Sequence, residues 1–82
     1  MYNRTKTRQL LTILGKEVNT LTRLVELCPN EDYEARLAPV VAELASTREE
    51  TPYQSERLTA VTLEARAKQL LERHRAYHVG NA

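Results

Sequence analysis

The chain of 82 residues contains no phenylalanine and no tryptophan. Any core must therefore be assembled from leucine, valine, isoleucine, alanine and four tyrosines. Glycine is reduced to Gly15 and Gly80 and proline to three residues, too few turn formers for an all-β fold with its many tight connections. Good helix formers dominate instead. Cys28 is the single cysteine, which rules out an internal disulfide and a cysteine-based zinc cluster, and with them a disulfide-stapled secreted miniprotein. No apolar run approaches the ~20 residues of a membrane span. The stretch LLTILG behind Arg4, Lys6 and Arg8 imitates a signal peptide, but it breaks off at Lys16 and Glu17, so a soluble cytoplasmic protein is the expectation.

What is present is charge, arranged in blocks. The formal net charge is only +1. Residues 1–25 carry Arg4, Lys6, Arg8, Lys16 and Arg23 against Glu17 alone. Residues 26–56 carry eight carboxylates against Arg36 and Arg48, and residues 57–82 return to a basic excess. Basic, acidic, basic is the pattern, and packing an acidic middle segment between two basic ones predicts favourable pairing along the flanks.

Two punctuation marks divide the chain into three helical segments of about 20–27 residues. Pro29 in CPN disfavours helix in the residue before it, and Asn30 then serves as a candidate cap with Glu31 and Asp32 in the next first turn. In TPYQ, Thr51 suits an N-cap, Pro52 a first helical position, and Gln54 the far corner of a capping box. Gly80 suits a C-terminal cap. In the first segment Thr7, Leu11, Leu14, Val18, Leu21 and Val25 alternate at spacings of four and three, a heptad seam. The second carries Tyr33, Leu37, Val40, Val41 and Leu44 in one stripe, with Pro39 inside it. The third carries Ala60, Leu63, Ala67, Leu70, His74 and Tyr77. The expected fold is one all-α domain over residues 1–82, with three antiparallel helices. They form an up-down-up bundle, or a helical hairpin with an extended arm, and helix 2 is kinked near Pro39.

Little in the chain points to catalysis. No Gly-rich loop offers a phosphate cradle, no serine lies in a nucleophile elbow, and Cys28 has no His or basic residue beside it in sequence. Cys28 is expected simply to close the first seam as a small apolar residue. His74 and His78 are spaced i, i+4, as two zinc ligands on one helix face can be, but the residues between them are Arg-Ala-Tyr and lack the glutamate of a zinc-hydrolase motif. No metal or other cofactor is expected. The pair is predicted to be a polar end to the helix interface, with leucine tolerated or even favoured at position 74. Arg66, Lys68, Arg73 and Arg75 are placed where cations complement a helix C-terminus.

Two features remain for function. Leu10, Ile13, Leu24 and Leu27 widen the apolar arc of the first helix beyond the ~100° a half-buried helix needs, and Leu58 and Val61 add a second stripe to the third. Either the first helix sits centrally in the packing, or these residues form a surface for a partner protein or a second copy. The second feature is the set Arg4, Lys6, Arg8, Arg66, Arg73 and Arg75, which supports an alternative reading as a nucleic-acid-binding accessory protein. The leading expectation is a non-enzymatic protein–protein interaction module, a small regulator or inhibitor that also forms a homodimer. Its size suits a protein of a phage or other mobile element.

Overall fold

The computed structural model describes residues 2–80. It contains three α-helices and no strand among those residues: α1, Arg4–Leu27; α2, Glu34–Glu50; and α3, Gln54–Gly80. None of them is long and apolar enough to cross a membrane. The molecule is elongated, with extents of 47 × 17 × 17 Å, which is what helices of this length packed side by side produce at 1.5 Å per residue.

The seam positions of the three segments meet in one core. Leu11, Leu14, Val18, Leu21 and Val25 of α1 pack with Tyr33, Leu37, Val40 and Leu44, and with Ala60, Leu63, Ala67, Leu70 and Leu71 of α3. Val18, Leu21, Leu37, Leu44, Ala60 and Ala67 are wholly buried. The spacing therefore identified the buried face of each helix. Cross-helix contacts set the register: Glu34 meets Arg75, Arg48 meets Glu64, and Arg36 meets Glu17. On the other side of α3, Leu63 lies near Gly15 and Arg66 donates to Asn19. Of these three, only the Glu34–Arg75 pair has the expected sense, with an acidic residue of α2 meeting a basic neighbour. The other two use the arginines of α2 against glutamates, because the acidic surplus of that segment points outward.

Several local expectations give way to other chemistry. Arg4, Lys6 and Arg8 lie within the first turns of α1, which begins at Arg4 with Asn3 as its cap, accepting a 3.1 Å bond from the Lys6 backbone N–H. Helix α2 starts not after Asn30 but at Glu34, and Asp32 supplies the turn by accepting from the Glu34 N–H at 2.9 Å. The three residues between are used to carry the chain across the end of the bundle. Thr51 closes α2 rather than opening α3; its hydroxyl accepts from Tyr53 N–H, and α3 begins at Gln54. Pro39 lies on an exposed face inside α2, and the helix does not end at it. Gly80 is itself helical, without the positive φ of a glycine cap.

Candidate functional site

Between α1 and α3, away from α2, runs an open groove of about 850 Å³. Its floor is Leu11, Gly15 and Leu63, one wall is Leu58, Thr59 and Thr62, and Arg8, Lys16 and Asn19 stand on the opposite wall. The hydroxyls of Thr59 and Thr62 donate to the carbonyls of Ser55 and Leu58 in their own helix. This wall therefore offers methyl groups and satisfied oxygens rather than free donors.

Gly15 is the informative residue. A glycine in a helix interior costs about 1 kcal/mol relative to alanine. Nothing local requires it: its φ is not positive, and a Cβ would meet the Leu63 methyls at 3.7 and 3.9 Å, ordinary van der Waals contact. The absent methyl is what keeps the floor low at the centre of the groove.

The apolar residues singled out from sequence do not form one surface. Leu10 and Leu24 are half-buried against the core, so the wide arc of α1 is partly explained by its packing. Ile13 and Leu27 remain 62% and 72% exposed. At 100° per residue, Ile13, Leu24 and Leu27 fall within about 60° of one another, in a sector roughly 110° away from the wall of Thr12, Gly15 and Asn19. Leu58, 58% exposed, belongs to the groove, whereas Val61 is exposed but not part of its lining. Gly15 and Lys16 were missed. The signal for Gly15 was present, since a lone glycine inside a strong heptad pattern breaks helix preference without a turn to justify it.

The cations divide as well. Arg4 donates to Glu56 at 3.2 Å, and its guanidinium lies 4.0 Å over the Tyr53 ring. Glu56 is 4% exposed and is also within 3.2 Å of the Tyr2 hydroxyl. Arg75 pairs with Glu34, and Arg66 donates to Asn19. Arg66 and Lys68 are not near a helix terminus, since α3 continues to Gly80; Lys68 instead joins Arg48 on the buried Glu64. Burial pushes the Glu64 carboxyl up, but Arg48 and Lys68 together outweigh it and hold the group below its ordinary value. Lys6, Arg8 and Arg73 make no ion pair among the described residues.

The opposite end of the bundle holds the histidines. His74 is only 2% exposed, and its Nε2 accepts from the Tyr33 backbone N–H at 3.0 Å. Asp32 Oδ1 is 3.4 Å from the same nitrogen. One nitrogen cannot accept from Tyr33 and donate to Asp32 at once, and the shorter contact assigns it the acceptor role. Nδ1 is then the protonated atom, buried and without a hydrogen-bond partner among the described residues. Leucine at position 74 would strand the Tyr33 N–H, so the sequence-based expectation that leucine suits this site is corrected. His78 Nε2 lies 3.1 Å from the Glu31 carbonyl, and the Tyr77 hydroxyl donates to Asn30. The Asp32 carboxyl is held below its usual range first by the hydrogen bond it accepts from the Glu34 N–H. The Tyr33 hydroxyl is 3.0 Å from the Cys28 carbonyl and 3.2 Å from that of Leu24, closing the end of α1; burial pushes its pKa up. Cys28 does not close the seam: its side chain is exposed beyond the last core position of α1.

A smaller cavity of about 330 Å³ near this end is lined by Val25, Glu26, Pro29, Arg73, His74 and Tyr77. Among the described residues no three His, Cys, Asp or Glu side chains converge to hold a metal ion. The chain matches no protein-family model, no curated protein and no solved structure.

Proposed function

We propose that this protein is a non-enzymatic protein–protein interaction module, a small regulator or inhibitor whose α1–α3 groove receives a helix from a partner protein. The observation that carries this reading is Gly15 at the centre of the groove floor, kept at a helix-propensity cost that packing does not require. A partner backbone approaching an apolar groove gains from a missing methyl at the closest point. Residues that lower stability without a structural return are found where function needs the space.

The same reading includes an up-down-up, antiparallel passage of the three helices, supported by the order of the pairs Glu34–Arg75 and Arg48–Glu64. It also includes a bend of α2 at Pro39, which removes one backbone donor and crowds the carbonyl of Ala35. The nucleic-acid alternative is weakened by the internal engagement of Arg4, Arg66 and Arg75.

The test is photo-crosslinking in the native host. A photoreactive residue at Thr12, on the groove, is expected to give a discrete protein adduct, whereas one at Ala42 on the exposed face of α2 is not. Equal labelling from both positions, or none from Thr12, counts against the groove.

A further inference from the structure

We infer that the helix received by the α1–α3 groove is an acidic amphipathic one, with its carboxylates on the side facing α1; this rests on the groove reading above. The charges around the groove are one-sided. Arg8 and Lys16 line it, both are exposed, and neither makes an ion pair among the described residues. The one carboxylate in the lining, Glu56, is buried and already held by Arg4 and Tyr2. The α3 wall contributes Ser55, Leu58, Thr59 and Thr62 and no charge. An occupant therefore meets positive charge along α1, neutral methyl-bearing residues along α3, and leucine beneath.

The dimensions set the pattern. Arg8 to Asn19 spans about 16 Å at the rise of an α-helix, room for roughly three turns of a partner. Arg8 and Lys16 are two turns apart, so the complementary carboxylates recur at about i and i+7 beside an apolar stripe. A second copy of this chain does not fit the description. The exposed surface of α2 mixes Arg36 with Glu43, Glu49 and Glu50 and otherwise presents Ala35, Pro39, Ala42 and Ser46, with no large apolar side chain to fill the leucine floor. Groove against groove sets Arg8 and Lys16 against their own copies. A nucleic-acid backbone finds two free cations but must also cover an apolar floor, which phosphates and sugars do poorly.

Two synthetic helical peptides test the inference. Both carry the same leucine stripe over about four turns; one has glutamates along a single flank and the other has lysines in the same positions. Binding is followed by fluorescence anisotropy and located by amide NMR shifts at Gly15 and Thr62. The glutamate peptide is expected to bind at the groove at least about tenfold more tightly than the lysine peptide, with added salt reducing the difference. In the variant Arg8→Glu with Lys16→Glu, whose fold circular dichroism verifies, the preference is expected to reverse. Equal binding, or a preference for lysine in the unmodified protein, overturns the acidic assignment and leaves the groove in place. Failure of both peptides overturns it too, and the Thr12 crosslink then decides separately whether the groove binds protein at all. Duplex DNA displacing the glutamate peptide through Arg8 and Lys16 overturns it in favour of phosphate.

Discussion

Replacing Gly15 by alanine separates a structural glycine from a functional one, because the two accounts predict opposite signs for stability. The added Cβ would lie 3.7 and 3.9 Å from the Leu63 methyls, so it fills space without displacing anything. The helix gains about 1 kcal/mol in propensity and in reduced freedom of the unfolded chain. Burying part of one methyl adds a fraction of the ~0.8 kcal/mol that a fully buried group contributes. The variant should therefore be about 1–1.5 kcal/mol more stable. For a domain of this size each kcal/mol moves the midpoint by about 4–8 °C, so a rise of roughly 4–12 °C is expected by circular dichroism melting, with a matching shift in urea. In the same variant, capture of a partner at the Thr12 photocrosslink should fall. A melting temperature that stays level or drops would show that Gly15 serves the packing of α1 on α3, and the argument for the groove would lose its support.

Other outcomes follow from individual contacts. His74→Leu strands the buried Tyr33 N–H and should lose about 1–2 kcal/mol in urea titration, while His74→Gln, which offers an acceptor of similar reach, should lose less; an unchanged leucine variant would mean the bond contributes nothing net. The folded-state values of Asp32, Glu34 and Glu64 lie below their ordinary ones, so the stability they add is complete above the unfolded carboxylate value of about 4.3. It is lost as pH falls through the depressed folded values, and a Glu64→Gln variant should show a shallower loss in urea midpoints measured across that range. Self-association, if it uses the exposed stripe of α1, now rests on Ile13 and Leu27, since Leu24 packs against the core. Ile13→Glu with Leu27→Glu should keep its helix content and sediment as a monomer, and an unmodified protein that is already monomeric at tens of micromolar ends the dimer idea.

The helices and their buried faces were legible because a heptad pattern states directly which residues share a side. Leu11, Leu14, Val18, Leu21 and Val25 needed no tertiary information, and the same held for Leu37, Val40 and Leu44. The turns were less legible. Thr51 has the chemistry of an N-cap, yet it closes the previous helix, because its backbone N–H makes the last bond of α2, to the Thr47 carbonyl, while its hydroxyl accepts from Tyr53 two residues on. Local pattern cannot tell these uses apart. The buried polar groups were least legible. Glu56 and Glu64 sit within the solvent-like pattern of α3, and both are buried by partners distant in sequence: Arg4 for the first, Arg48 for the second. His74 looked like an imperfect apolar residue until the approach of the 28–33 connection supplied the Tyr33 N–H.

These placements explain how a core without Phe or Trp holds three helices while leaving a groove open. The two ends are tied by polar side chains reaching across the bundle. At one end Tyr2, Arg4, Thr51 and Glu56 form one cluster over the α2–α3 connection, and Arg57 donates to the Thr51 carbonyl. At the other, His74, Arg75, Tyr77 and His78 all reach residues 30–34. Each such bond adds little net stability, but the penalty for leaving a buried partner unpaired makes the arrangement specific. Between the ends α3 packs most extensively on α2, while its contact with α1 is smaller and is flanked by the groove. The α1–α3 interface is thus the place where Gly15 and its neighbours can leave surface uncovered without loosening the bundle. If that division is right, Leu58→Ala should change peptide binding at the groove while leaving the melting temperature within about 2 °C, because a side chain already mostly in water has little folding energy to lose. A clear drop in melting temperature would place Leu58 in the core, not in a binding surface.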